Sequence, residues 1–113
     1  MPATFQLKRN DENQYSFHLV DGAGELLLIS GNYLNKEEAE QAIKDVRVGT
    51  LMSNQIGASK TPKGETFFFI KNAAGQILVK SLLFSSAMSF DNALHQVKDN
   101  ACVAEISDLT EMA

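Results

Sequence analysis

What most restricts the fold of this chain is that it contains itself twice. Shifted by 51 positions without a gap, the sequence aligns Phe17 with Phe68, Ala23-Gly24 with Ala74-Gly75, Leu27 with Leu78, Ser30 with Ser81, Ala42 with Ala93 and Val46 with Val97. These are seven identities among the 36 pairs from Asn13/Gly64 to Val48/Asp99. Identity at that level is weak alone. Conservative pairs fall in the same register, however: Leu19/Ile70, Asp21/Asn72, Leu26/Ile77, Leu28/Val79, Tyr33/Phe84, Ile43/Leu94 and Arg47/Lys98. The chain therefore reads as a tandem repeat, with copies over about 5–52 and 56–106 and a frayed tail over 107–113.

Each copy changes its hydrophobic period halfway along. Tyr15, Phe17 and Leu19 alternate with Ser16, His18 and Val20, as do Thr66, Phe68 and Ile70 with Phe67, Phe69 and Lys71, the two-residue period of a strand. Tight connections follow at Asp21-Gly22-Ala23-Gly24 and Asn72-Ala73-Ala74-Gly75, where the shared glycine supplies a positive φ. The apolar runs Leu26–Ile29 and Ile77–Val79 make third strands, and weaker strands around Phe5–Lys8 and Ile56–Ser59 precede each hairpin. Then Ala39, Ala42, Ile43 and Val46 stand at helical spacing, repeated by Phe90, Ala93, Leu94 and Val97. Asn35 with Glu38 has the form of a helix cap and its reciprocal partner, while Gly49 and Asn100 close the two helices. Short last strands are expected at Leu51–Met52 and Cys102–Ile106. The expected fold class is α+β: two tandem β3-α-β repeats in one domain over 1–113, forming a mainly antiparallel sheet with both helices on one face. A unit of about 50 residues has little core by itself, so the copies should share theirs.

Composition narrows the function classes. A chain of 113 residues suits one domain, and its 44% hydrophobic content is that of a globular protein rather than a disordered one. A net charge of −4 disfavours general nucleic-acid binding. The one Cys excludes an internal disulfide and fits a cytoplasmic protein. The N-terminal segment carries no apolar run of the signal-peptide kind, and no stretch has the length of a membrane helix.

Each copy resembles the unit of the YegP-like proteins, small bacterial tandem-repeat proteins of unknown function. The resemblance lies in Tyr15-Ser16-Phe17 leading to Ala23-Gly24-Glu25-Leu26-Leu27, then Ser30, Tyr33, Ala39, Ala42-Ile43 and Val46. The second copy offers Phe67-Phe68-Phe69, Ala74-Gly75-Gln76-Ile77-Leu78, Ser81, Phe84, Ala93-Leu94 and Val97. It implies units that share one sheet and exchange their last strands. It brings no catalytic residues. The sequence departs from the family at Ala42 and Ala93, where the family has Gly in the helix, and at Gly49, where it has Asn.

The residues show no catalytic constellation. His18 and His95 fall in different copies, one on a strand and one on an outward helix position, and no cluster has the spacing of a zinc site. Cys102 opens an apolar stretch and reads as a small buried hydrophobe rather than a nucleophile. Gly57-Ala58-Ser59-Lys60-Thr61 lacks the spacing of a phosphate loop. Lys63-Gly64-Glu65-Thr66-Phe67-Phe68-Phe69 lacks the aromatic that should follow glycine in an RNA-stacking strand. Glu37, Glu38, Glu40 and Asp45 read as a solvated helix face.

One feature points outward. With both helices on one face, the other should be polar, yet the alternation places Leu27, Ile29, Phe67, Phe69 and Leu78 there. Uncovered apolar patches of that size tend to be contact sites. The leading expectation is a non-enzymatic interaction module, without cofactor or metal, binding an unknown protein partner or a second copy through sheet face or edge. The alternative is a nucleic-acid or small-molecule binder using Phe67 and Phe69.

Overall fold

The computed structural model describes residues 3–110. The element order is β1 (Thr4–Arg9), β2 (Tyr15–Val20), β3 (Leu26–Ser30), α1 (Lys36–Gly49), β4 (Ile56–Lys60), β5 (Thr66–Lys71), β6 (Ile77–Lys80), α2 (Ala87–Asn100) and β7 (Glu105–Asp108), with a 3-10 turn at Ser53–Gln55. The strands form one seven-stranded sheet in the order β4-β5-β6-β3-β2-β1-β7. All pairs are antiparallel except β1 with β7. The α+β class, the mainly antiparallel sheet and the helices over one face are as the sequence predicts.

The hairpins close for the reason expected. The Asp21 carboxylate accepts from the Ala23 and Glu25 N–H groups at 2.9 Å, and the Asn72 side chain accepts from Ala74 and Gln76 at 3.0 Å. Such Asx turns need a left-handed residue next, supplied by Gly24 at φ 85° and Gly75 at φ 87°. The serines that end β3 and follow β6 also have a task. Ser30 Oγ accepts from Phe17 N–H at 2.9 Å and Ser81 Oγ accepts from Phe68 N–H at 3.0 Å, replacing a ladder bond where the strand turns away. The chain then returns to the hairpin through Tyr33 opposite Tyr15 and Phe84 opposite Thr66. This lays Tyr33 over Phe17 and Phe84 over Phe68, with ring centroids 6.2 Å apart in each pair.

Phe5, Leu7, Phe17, Leu19, Leu28, Phe68, Ile70 and Val79 line the inner sheet face. Ala39, Ala42, Ile43 and Val46 pack on them from α1, whereas α2 contributes Val97 fully and Phe90, Ala93 and Leu94 in part. Asn35 Oδ1 accepts from Glu38 N–H at 2.8 Å and Ser86 Oγ accepts from Ser89 N–H at 3.1 Å, so both helices begin on side-chain caps.

Four expectations are corrected. Leu51–Met52 is not a strand: the chain turns there and enters the 3-10 segment that leads to β4. Cys102 lies in an exposed turn after α2, and the last strand starts three residues later at Glu105. Gly49 is the last residue of α1 rather than a left-handed terminator, and it is glycine for room. A Cβ there would stand 2.6 Å from Ile70 Cγ2. The tail expected to fray from Ser107 is held as far as Thr110, because β7 pairs with β1, Leu109 N–H donates to Leu7 C=O at 2.8 Å and Thr110 is buried. The rest of that tail, 111–113, lies outside the described residues.

Candidate functional site

Of the five residues expected to form an apolar patch on the helix-free face, the fold leaves three there. β3 and β6 each carry a bulge. Leu19 pairs with Leu28 and Val20 with Leu26, so Leu27 falls out of register, and the pairs Ile70/Val79 and Lys71/Ile77 skip Leu78 in the same way. A bulge interrupts alternation and places two successive side chains toward one side. Leu27 and Leu78, each 7% exposed, therefore belong to the core. The apolar triplets Leu26-Leu27-Leu28 and Ile77-Leu78-Val79 depart from period two, but nothing within them says which residue is skipped.

Ile29, Phe67 and Phe69 remain on the open face. Cross-strand partners run His18–Ile29–Lys80–Phe69–Gly57, so Lys80 separates Ile29 from the aromatics. Phe67 and Phe69 form a pair, ring centroids 6.3 Å apart and tilted by 49°. Phe69 lies over Gly57, where a Cβ would meet the ring at 2.5 Å. A glycine on the neighbouring strand thus makes the bed for this ring, and both rings are half-exposed.

The two edges of the sheet differ. On the outer side of β1, β7 runs parallel in the register Thr4/Glu105 to Leu7/Asp108. The Asp108 carboxylate meets Lys36 Nζ at 2.5 Å, and Arg47 donates to the Ala104 carbonyl while its guanidinium stands 5.6 Å over the Phe5 ring. On the outer side of β4, no described residue pairs. Beside that edge, between β4, β5 and the start of α2, is an opening of about 340 Å3 lined by Ala58, Ser59, Lys60, Thr66, Ala87 and Phe90.

Three of the described titratable groups are displaced from their ordinary values. Hydrogen bonds from Lys36 and then Thr110 hold the Asp108 carboxyl well below the usual carboxylate range. Burial, and then the Lys8 charge, lower the His18 imidazole. Burial, with Asp45 and Glu38 nearby, raises the Tyr33 phenol. His95 stands on exposed α2, 3.6 Å from Asp99, away from the sheet face that carries His18. Among the described residues, no group of three His, Cys, Asp or Glu is placed to hold a metal ion, and no helix is long and apolar enough to cross a membrane. Sequence reasoning did not single out β4 as an edge or the opening beside it. Small residues in a strand and a helix start signal space only once the two elements are known to be neighbours.

No protein-family model matches the chain. The UPF0339 protein YegP of Escherichia coli K12 is 30% identical over 110 residues, covering 97% of this chain and all of that one. A UPF0339 protein of Shewanella oneidensis is 28% identical over the same length. The solution structure of UPF0339 protein SO3888 from Shewanella oneidensis superposes with a TM-score of 0.92 at 28% identity, over 97% of this chain and 93% of that one. The solution structure of E. coli YegP, a protein of unknown function, does so with a TM-score of 0.91 at 30% identity, over 98% of this chain and 96% of that one. With the fold in common and 30% identity along nearly the whole length, the chain belongs to the UPF0339 family of YegP proteins.

Proposed function

We propose that this protein is a non-enzymatic, cytoplasmic interaction module whose open sheet face, around Phe67 and Phe69, contacts a protein partner or a second copy. The observation that carries the reading is the aromatic pair itself. Two rings 6.3 Å apart stand half-exposed on a face with no helix over it, one of them seated on Gly57. Rings so placed gain only part of their burial from folding, and large aromatics at interface centres supply much of the binding energy. We read the frame that presents them as a duplicated β3-α unit in which the last strand of the second copy, β7, is given to the first copy beside β1. Support comes from the matching registers Phe5/Leu19 and Ile56/Ile70, the paired serine bonds, and β7 lying beside β1.

Replacing Phe67 and Phe69 together with Thr tests the reading by sedimentation and thermal melting. Loss of association with the fold intact is the expected result. Unfolding would assign the rings to the core, and unchanged association would move the contact elsewhere. The alternative, an aromatic platform for RNA or a small molecule, draws on Lys71 and Lys80 flanking the rings. Salt-dependent RNA binding that disappears in the double variant would favour it.

A further inference from the structure

We propose that β4 accepts a partner's extended peptide as an added parallel strand, with a bulky apolar side chain of that peptide filling the opening beside Ala58 and Phe90. This deepens the interaction reading but uses the edge of the sheet instead of its open face. The pattern for it is within the molecule. β1 pairs with β2 in the register by which β4 pairs with β5, Leu7 opposite Phe17 as Ala58 is opposite Phe68. On the outer side of β1 lies β7, with Leu109 N–H donating to Leu7 C=O at 2.8 Å. β4 offers the same hydrogen-bonding row. Phe68 directs its N–H to Ser81 Oγ and its C=O to Ser81 N–H, both away from β4. Phe68 and Ala58 are therefore a non-hydrogen-bonded antiparallel pair, and the N–H and C=O of Ala58 point out of the sheet.

The side chains around this row define the guest. Where the covered edge has Leu7, Tyr15 and Lys36, the open one has Ala58, Thr66 and Ala87, each smaller, and the volume they give up is the 340 Å3 opening. In the β7 register, the guest residue opposite Ala58 takes the place of Asp108, whose carboxylate meets Lys36. With Ala87 at the Lys36 position and Phe90 beside it, that place is apolar. The chain's own last strand is thus the wrong guest, and an extended segment with a bulky apolar residue at that point is the right one. β4 has no proline, and its one charge, Lys60 at the end of the strand, stands on the same face as Ala58 and lines the rim of the opening, which leaves the edge only lightly guarded.

The test uses two synthetic peptides, capped at both ends, with the sequence of residues 104–110: one unchanged, the other with Asp108→Phe. Titrated into the full chain and followed by backbone amide shifts, the Phe peptide should perturb Ile56–Lys60 and bind about tenfold or more tighter than the unchanged one. Ala58→Pro should abolish this binding and leave the melt intact, because proline at an outward-facing edge position removes no ladder bond. Ala87→Lys, which restores the cation of the covered edge, should reverse the preference toward the Asp peptide. Equal affinities, shifts confined to β1 and β7, or an unchanged preference in Ala87→Lys would overturn the proposal. So would a dimer of the protein lost in Ala58→Pro without peptide binding, since the edge would then belong to a second copy. Loss of peptide binding has no bearing on the Phe67/Phe69 face, which the double Thr variant tests separately.

Discussion

The first half of the sheet is sealed where the second half is open. α1 buries Ala39, Ala42, Ile43, Val46 and Gly49, whereas α2, at matching positions, fully buries Val97 alone. β1 has Phe5 and Leu7 completely covered with β7 beside them, whereas β4 has half-buried Ile56, exposed Ala58 and no outer neighbour among the described residues. The open faces differ in the opposite sense. At the position of His18 in the first half stands Phe69 in the second, and Ser16 is matched by Phe67. Turns, caps and the Tyr33 and Phe84 bridges are nearly alike, so they do not create the difference. It comes from where the last strand goes and from the side chains at matched positions, Leu7 against Ala58 at the edge and His18 against Phe69 on the face. One half receives β7 and closes its core, and the other keeps apolar surface on both its face and its edge.

The comparison breaks most directly in the two helices. Ile43 is fully buried, and Ile43→Ala should cost about 2–5 kcal/mol, the range for truncating a core aliphatic. Leu94, its counterpart, is only half-buried, and Leu94→Ala should cost roughly half as much. Urea unfolding of both variants measures the gap. Equal losses would mean that α2 is packed as tightly as α1. The helix ends give a second contrast. Gly49→Ala forces a methyl to 2.6 Å from Ile70 and should cost about 1–3 kcal/mol, the scale of overpacking. Asn100→Ala, on an exposed helix end where the side chain bonds only to the Gln96 carbonyl, should cost about 0.5 kcal/mol or less.

Much of this frame was legible in the residues because its signals are local. A two-residue period identified β2 and β5, the period of α1 gave its buried face, and Asp21 and Asn72 before a glycine gave the turns. The misses are all long-range. No pattern within residues 26–28 states that Leu27 is skipped in the pairing with β2, so the alternation carried Leu27 and Leu78 to the wrong face. The rule that glycine after a helix is left-handed failed at Gly49 because the requirement there is set by Ile70, on a strand 21 residues away. A last strand was expected at Cys102–Ile106, but its true place at Glu105–Asp108 is set by a partner at the other end of the chain and by the contact of Asp108 with Lys36. β5, by contrast, pairs with β4 without a bulge through Phe67 and Phe69, so period two applies to them without interruption.

The seal itself should respond to acid. Asp108 has its carboxyl held below the ordinary range by Lys36 and Thr110, so the docking of β7 is favoured above the unfolded carboxylate value near 4. That contribution is lost as pH falls through the lower folded value. Amide exchange of Ile106 and Leu109 should therefore accelerate in strong acid relative to that of β5, beyond the intrinsic pH dependence. Asp108→Asn should exchange faster at neutral pH and lose the acid-dependent component. Identical acid responses in β7 and β5 would remove the ion pair as the clasp.

The smallest effect expected separates the two open faces by pH. His18 is held below its ordinary value by burial and by Lys8, whereas Phe69 at the matching position cannot titrate. A base with a lowered folded pKa is favoured neutral in the native state, so the unfolded chain binds more protons across the window beneath about 6.5. Stability from this site is then complete above 6.5 and declines as pH falls through that window. His18→Gln should flatten the decline between pH 7.5 and 5.5 while leaving the neutral melting temperature close to that of the parent. Phe67→Thr with Phe69→Thr, on the other half of the same face, should leave the slope untouched. A slope that persists in His18→Gln would assign the acid response to another group.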